Sequence, residues 1–197
     1  MTKSRYHHGN LKETILNEVL KSLNNKSFDE ISFRSIARNI GVVSSAPYNH
    51  FKDKKDLIKE IILLGEKKLF KIILLEKNKS QVPTDQMLLI AKAYLSFANK
   101  EKALFNLMFS KANKELLHLS DKIVLQFKSV ITEKFKKGKR LKLTAKGSAI
   151  AAWSMIHGIA ITLNNNNKEN LESLWQIELD NILKEMSAIW GKGVSQK

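Results

Sequence analysis

Hydrophobic side chains recur along almost the whole chain at intervals of three and four residues, the period of an amphipathic α-helix. No stretch shows the strict alternation that predicts a half-buried β-strand. The first periodic stretch is preceded by Asn10, a favourable N-cap residue. Its apolar face consists of Leu11, Ile15, Val19, Leu20 and Leu23. The pattern predicts an all-α protein of about nine helices.

The eight further helices follow from the same period, and residues 78–85, NKSQVPTD, form the clearest break between them. Their predicted ranges are Phe33–Ile40, Ser44 to Asn49 or His50, Asp53–Glu76, Thr84–Asn99, Lys102–Ser110, Lys114–Phe135, Leu143–Leu163 and Asn170–Trp190. We expect a three-helix N-terminal domain at residues 1–55 and a larger helical domain at residues 56–197.

Two short helices are predicted to meet at a tight turn within ARNIGVVSSAPYNHFKDKKDL, residues 37–57. Ser32 should cap the first helix, and Gly41 stands where a helix end requires positive φ. The shape is that of a helix-turn-helix, whose second helix exposes small polar groups. We expect Ser44, Ser45, Ala46 and Asn49 on the exposed side, and Ile36, Ala37, Ile40, Val42, Tyr48 and Phe51 on the packed side.

The net charge of the chain indicates which kind of partner it binds. The formal net charge is +15, which favours a polyanion, although a lysine-rich surface also serves solubility. Lys52, Lys54, Lys55 and the Tyr48 hydroxyl could reach phosphates beside a groove. The pattern alone leaves open a plain helical hairpin with a solvated basic edge. Residues 141–197 are nearly neutral, with six basic and five acidic side chains, which hints that the last helices bury surface.

Several kinds of protein are disfavoured by what the sequence lacks. It has no cysteine, so disulfides, thiolate metal sites and cysteine nucleophiles are excluded. Its five histidines include no pair at helical ligand spacing, and we expect no metal and no cofactor. No Ser-His-acid set, phosphate-binding glycine loop or carboxylate pair predicts an enzyme. Apolar runs fall short of the roughly 20 residues of a membrane span, so a cytoplasmic protein without membrane contact is expected.

The segments YHHGNLKETIL, SFRSIARNIGV and APYNHFKDKKDLI resemble, in order and spacing, the N-terminal domain of the TetR family of bacterial transcriptional regulators. The resemblance implies a homodimer that reads a palindromic double-stranded DNA operator and is released by a small molecule. Gly41, Tyr48, His50, Phe51 and Lys54 match the family pattern. The DNA-binding residues it implies, together with those expected above, are Ser32, Arg34, Ser44, Ser45, Ala46, Tyr48, Asn49, His50, Lys52, Lys54 and Lys55.

Two positions depart from the family pattern. Val43 replaces the Ser or Thr whose hydroxyl caps the recognition helix, and we expect Ser44 to take over that cap. Ser35 replaces the Glu often found three residues after the capping Ser32, and we expect the reciprocal capping bond to be lost.

The C-terminal half resembles a ligand-binding domain named for a Trp-His-Gly signature, through YLSFANKEKALFNLMFS and AWSMIHGIAITL, residues 94–110 and 152–163. Glu101 and Lys102 replace the usual His-Pro. Trp153 and His157 share a helix face because they lie four residues apart. The implied pocket comprises Phe97, Leu104, Phe105, Met108, Phe109, Phe127, Trp153 and His157. Without the resemblance, these residues read as core and His157 as a buried imidazole satisfied by a neighbour.

The last two predicted helices suggest the dimer contact. The first is rich in Gly and Ala, which allows close helix approach. The second carries an apolar stripe of Leu171, Trp175, Leu179, Ile182, Met186 and Ile189. Two such helices from each subunit would form a four-helix interface, and a purely monomeric core is the alternative. The function expected is a ligand-responsive repressor, and the runner-up is a nonspecific or architectural DNA-binding protein without an effector.

Overall fold

The computed structural model describes residues 11–111, 113, 116–136, 144–165, 169, 172–173 and 176–194. These residues form helices and no strand, as the sequence predicts. The α-helices are α1 (Leu11–Leu23), α2 (Phe33–Ile40), α3 (Lys54–Lys77), α4 (Pro83–Lys100), α5 (Lys102–Met108), α6 (Leu116–Lys136), α7 (Ala145–Asn165) and α8 (Leu179–Val194). Two 3-10 helices, η1 (Phe28–Glu30) and η2 (Ala46–Asn49), complete the described elements. The eight α-helices confirm the prediction of about nine helices.

One compact unit contains the residues up to Glu66 together with Ala103–Asn113. In this first unit α1 packs on α2, and α2 packs on η2. Burial of an apolar stripe from each helix stabilises the unit. Its core side chains, all buried, include Ile15, Val19, Ile36, Phe51, Leu57 and Ile61.

The close approach of α5 to α3 within this unit depends on Gly65. A Cβ atom there would lie 2.5 Å from Met108 Sδ and 3.0 Å from Leu104 Cδ1. Any larger side chain at residue 65 would displace both, and overpacking of this kind is destabilising. The glycine therefore allows α5 to join the core of the first unit, where Leu104, Phe105 and Met108 are buried.

The second unit contains Lys67–Lys102 and Lys114–Lys197. Helices α4, α6 and α7 pack against one another, and α8 packs on α4. Small residues let α7 pack closely, since Ala149 and Ala160 are fully buried. The large core side chains beside them are Ile90, Tyr94, Phe97, Ile123 and Phe127. No helix among the described residues is long and apolar enough to cross a membrane.

The predicted continuous helix Asn170–Trp190 is wrong. Gln176 has φ 53°, the left-handed region, and α8 begins only at Leu179. The carboxylate of Glu172 accepts a hydrogen bond from the Leu179 backbone N–H at 2.7 Å, which satisfies a donor at the helix start. Within α8, Leu183 is the buried residue, whereas Ile182 and Met186 are half-buried.

Smaller differences concern helix faces and ends. In α1, Leu16 is buried, whereas Leu11 and Leu20 are only half-buried. The predicted N-cap Asn10, the predicted helix start Leu143 and the stripe residues Leu171 and Trp175 lie outside the described residues, as do the side chains of Ile189 and Trp190.

Candidate functional site

The first helix of the predicted DNA-binding motif is capped reciprocally. The Ser32 hydroxyl accepts a hydrogen bond from the Ser35 backbone N–H at 3.1 Å, and the Ser32 N–H donates to the Ser35 hydroxyl, also at 3.1 Å. The expectation that Ser35 loses the reciprocal bond is therefore wrong. A serine hydroxyl replaces the usual carboxylate because the two residues approach closely enough for the shorter side chain to reach.

The turn after α2 confirms the prediction for Gly41, which has φ 73° and ψ 32°. The Val42 N–H donates to the Ala37 carbonyl at 2.9 Å, so the helix end is closed by a backbone hydrogen bond. On the other side of α2, the Asn39 amide donates to Glu18 of α1 at 2.7 Å. Backbone and side-chain bonds thus hold the turn against α1.

The second element of the motif is a 3-10 helix of four residues, shorter than the predicted α-helix. Its hydrogen bonds join residues three apart: Ala46 N–H to Val43 carbonyl at 3.0 Å, and Tyr48 N–H to Ser45 carbonyl at 3.1 Å. Pro47 cannot donate a backbone hydrogen bond, and Val43 cannot provide a capping hydroxyl. The N-cap residue is Ser45, without a side-chain cap bond, so the expectation that Ser44 caps is wrong.

Burial within this element differs from prediction at two residues. Ala46 is buried, 9% exposed, because it faces inward together with Pro47. Tyr48 is 60% exposed although its ring packs edge-on against Phe33, with centroids 4.8 Å apart. Beneath them Phe51 is 1% exposed and stacks on Phe33 at 6.4 Å. The aromatic layer supports a tyrosine whose outer part faces solvent.

The remaining predicted DNA-contacting residues are mostly exposed. Eight fall in this class: Ser32, Arg34, Ser44, Ser45, Asn49, His50, Lys52 and Lys55. Val43, which the sequence reasoning treated only as a departure from the family pattern, is 71% exposed. The signal in the sequence was its position two residues after Gly41, where no helical period buries an apolar side chain.

The lysines at the start of α3 have different environments. The Lys54 ammonium donates to the Asp29 carbonyl at 2.8 Å and lies 5.0 Å from the centre of the Phe28 ring. Lys55 is exposed and makes no ion pair with the described residues. The Lys54 side chain thus connects α3 to η1, whereas Lys55 faces solvent alone.

In the second unit, the buried Tyr94 and the half-buried Trp153 form an aromatic cluster around His157. The Tyr94 hydroxyl lies 2.9 Å from His157 Nδ1, and the Trp153 ring stacks on the imidazole at 5.1 Å between centroids. Burial raises the pKa of the Tyr94 hydroxyl and lowers the pKa of His157. Both groups are therefore neutral near pH 7, and one hydrogen bond joins them. Sequence reasoning missed Tyr94, because its contact with His157 spans 63 residues.

The eight residues predicted for a ligand pocket are divided between the two units. Leu104, Phe105, Met108 and Phe109 belong to the first unit. Phe97, Phe127, Trp153 and His157 belong to the second. The Phe105 and Phe109 rings contact each other at 4.6 Å. Their role in ligand binding stays a prediction.

A cleft of about 40 Å³ lies within the second unit, among α4, α6, α7 and α8. Its apolar walls include Met87, Phe127, Ile156, Leu183 and Met186. Phe127 is the one residue it shares with the predicted pocket. Sites for drug-sized ligands measure roughly 300 to 1,000 Å³. The cleft is therefore much smaller than a typical ligand site.

No group of three metal-ligating side chains that could hold an ion is found in the part of the chain that the structure describes. The exposed side chains of the predicted DNA-binding motif offer hydroxyl, amide, imidazole and ammonium groups for recognition of a partner.

Known proteins match part of this chain by sequence and nearly all of it by fold. Residues 87–181 match a family described as "Tetracyclin repressor-like, C-terminal domain". The match does not single out the Trp-His-Gly subtype, which stays a prediction. Among curated proteins, the nucleoid occlusion factor SlmA of Aliivibrio fischeri (strain MJ11) is 28% identical over 135 residues, which cover 63% of this chain and 67% of that protein.

Solved structures share the fold over nearly the full length. A protein of unknown function from Rhodococcus sp. RHA1 superposes with a TM-score of 0.82 at 24% identity, covering 98% of this chain and all of that one. The TetR-family transcriptional regulator PfmR from Thermus thermophilus superposes with a TM-score of 0.67 at 16% identity, covering 92% of this chain and 99% of that one.

Proposed function

We propose that a chain with this fold and this C-terminal domain is a TetR-family transcriptional regulator that represses transcription by binding a palindromic operator. The DNA-contacting surface that we propose is formed by residues 32–55. In this proposal the protein acts as a homodimer in the cytoplasm, and a small molecule releases the protein from its DNA.

The observation that carries this proposal is the arrangement around η2. Backbone hydrogen bonds and a buried aromatic layer hold a short turn in place, while the polar side chains on it stay exposed. Ser45, Asn49 and His50 are consequently available to base edges, and their support is rigid. Preorganised side chains lose less conformational entropy on binding, which favours specific recognition.

Charge supports the affinity for DNA. Lys52 and Lys55 are exposed beside the turn, and the chain carries a net charge of +15. Phosphate contacts position a protein on DNA, whereas base contacts supply the sequence preference. The lysines would therefore contribute affinity for any duplex, and Ser45 and Asn49 would contribute discrimination.

The test is selection of duplexes from a random DNA pool, followed by titration of the selected and a scrambled duplex. Asn49→Ala and Ser45→Ala should change the base preferred at individual positions, with a cost of roughly 1 to 3 kcal/mol per lost contact. Lys55→Ala should weaken binding to all sequences alike. Equal affinity for the selected and scrambled duplexes would favour the runner-up, a nonspecific or architectural DNA-binding protein.

The dimer contact that we propose uses the exposed face of α7 together with α8. Ala151, Ser154 and Gly158 lie on one exposed side of α7, flanked by Ile150, which is 44% exposed. A Cβ atom at Gly158 would meet nothing within 4 Å in the monomer. A close-packed helix from a partner subunit would fill this space.

Gly158→Leu tests this contact without disturbing the monomer. The larger side chain should leave the folded monomer intact and raise helix propensity by up to about 1 kcal/mol. It should shift the population from dimer to monomer in analytical ultracentrifugation. Leu75→Ala is the control, because Leu75 is an exposed side chain of α3, and it should leave the dimer unaffected. A Gly158→Leu protein that stays fully dimeric would place the interface elsewhere.

We propose that effector binding opens the second unit, because its cleft of about 40 Å³ is much smaller than a typical ligand site. A ligand releases DNA only if it prefers the arrangement that binds DNA poorly. Trp153 and His157 are half-buried and keep some surface available, and we propose that they contact the effector. Trp153→Ala should therefore bind DNA normally but respond weakly to a host-cell metabolite extract in operator titrations. Loss of DNA binding in a folded dimer would instead assign Trp153 to the structural core.

A second candidate function comes from the curated relatives, which are nucleoid occlusion factors. A role of that kind would require binding at many chromosomal sites. Chromosome-wide mapping of bound sites in the host separates the two candidates, because a local repressor should occupy a few promoters and an occlusion factor should be distributed broadly.

A further inference from the structure

Val43 is the most exposed large hydrophobic side chain among the described residues, at 71%. It lies in the turn between α2 and η2, next to Ser44 and Ser45, which are also exposed. Ala46, the apolar residue expected to face outward from this element, is buried instead. The apolar surface that the turn presents to solvent is therefore that of Val43.

The side chain is held in a defined place. The Val43 carbonyl accepts a hydrogen bond from the Ala46 N–H at 3.0 Å, and the preceding residue, Val42, is bonded to the Ala37 carbonyl at 2.9 Å. Valine is branched at Cβ, which restricts rotation about χ1. Burying Val43 against a partner would consequently cost little conformational entropy.

The partner of this turn under the proposed function is the DNA major groove, where the C5-methyl of thymine is the apolar group at the base edges. We propose that Val43 packs against a thymine methyl group and makes this protein prefer thymine at one position of each operator half-site. This inference rests on the proposed function. It adds an apolar contact to a surface otherwise made of polar groups.

The expected effect follows from the area buried. One methyl group removed from a buried apolar contact lowers affinity by about fourfold. Val43→Ala removes two methyl groups from each subunit and should lower affinity for the selected duplex by roughly tenfold per half-site, since part of the area remains in contact. Val43→Ala alters no charge, so the salt dependence of DNA binding should stay the same.

The experiment uses the full-length protein and a duplex selected by it from a random pool. Each thymine of the duplex is replaced in turn by uracil, which lacks only the methyl group. Wild-type protein should lose about fourfold at one position per half-site, and Val43→Ala should be insensitive to uracil at that position. Val43→Thr, of similar size but with a hydroxyl in place of one methyl, should lose most of the sensitivity. Val82→Ala is the matched control, because Val82 is also exposed, at 51%, but lies outside the motif.

Two results would overturn the inference while leaving the proposed function intact. One is a wild-type protein that binds its selected duplex but loses no affinity at any uracil position. The other is a Val43→Ala protein that keeps the full fourfold loss. Failure of the wild-type protein to select any duplex would overturn the proposed function and this inference together.

Discussion

Two tyrosines, one in each unit, have opposite environments. Tyr48 stands on the aromatic layer of Phe33 and leaves 60% of its surface exposed. Tyr94 is fully buried, and its hydroxyl is bonded to His157. The first places a hydroxyl where a partner can reach it, and the second uses its hydroxyl to satisfy a neighbour.

The same difference separates the exposed polar groups of the motif in the first unit from the bonded pair of Tyr94 and His157 in the second. The motif in the first unit is complete before a partner arrives, because its polar groups are exposed and its support is closed by backbone bonds. The Tyr94 hydroxyl and His157 Nδ1 are already bonded to each other, and the cleft within the second unit measures about 40 Å³. Under the proposed function, DNA would therefore dock on a preformed surface, whereas an effector would first have to rearrange the second unit.

The largest expected effect distinguishes the buried aromatic residues beneath the DNA-contacting surface from the exposed residues on that surface. Phe51→Ala should destabilise the protein by about 3 to 5 kcal/mol, because Phe51 is 1% exposed and its loss leaves a cavity. Tyr48→Ala should cost far less stability and yet weaken DNA binding. Urea unfolding and operator titration measure the two quantities. If both variants lost stability equally, Tyr48 would be part of the core.

A smaller effect compares the two hydroxyl groups directly. Tyr94→Phe should cost about 1 kcal/mol, the net worth of a buried hydrogen bond. Tyr48→Phe removes the same atom from an exposed site and should change stability by less than about 0.5 kcal/mol. Thermal unfolding of the two variants under one buffer provides the comparison. A larger loss for Tyr48→Phe than for Tyr94→Phe would reverse the assignment of the two environments.

The next comparison concerns two lysines of the first unit. Lys54→Ala should lower stability by about 0.5 to 1 kcal/mol, because it removes the cation-π contact with Phe28. Lys55→Ala should leave stability unchanged. Each should reduce the salt dependence of DNA binding by about 0.9 per lost phosphate contact. An unchanged salt slope for Lys55→Ala would remove that residue from the DNA-contacting surface.

The smallest effect is a dependence of stability on pH that involves His157. Burial lowers the pKa of His157 below its ordinary value of 6.5, so the unfolded chain binds a proton before the folded one does. Stability should be full above about pH 6.5, fall as the pH decreases toward the lowered pKa of the folded state, and change no further below it.

His157→Gln provides the control for this pH dependence. The difference between the two unfolding curves removes every contribution that the two proteins share. Parallel curves for the two proteins from about pH 7.5 to 5 would show that His157 titrates alike in the folded and unfolded states.

The sequence determined those features that depend on residues close together in the chain. The helical period predicted an all-α fold, Ser32 predicted the start of α2, and Gly41 predicted a left-handed turn at its end. Each depends on the backbone conformation and hydrogen bonds of a few successive residues. For that reason sequence patterns alone are sufficient to predict them.

The tertiary structure decided the features that bring distant residues together. The break before α8 follows a left-handed Gln176, and Glu172 satisfies the new helix start from seven residues away. Tyr94 reaches His157 across 63 residues, and α5 approaches α3 only because Gly65 has no side chain. Ala46 is buried, although the helical period predicted that it is exposed, because η2 packs on α2. Such contacts depend on which faces meet in three dimensions, and no local pattern encodes that choice.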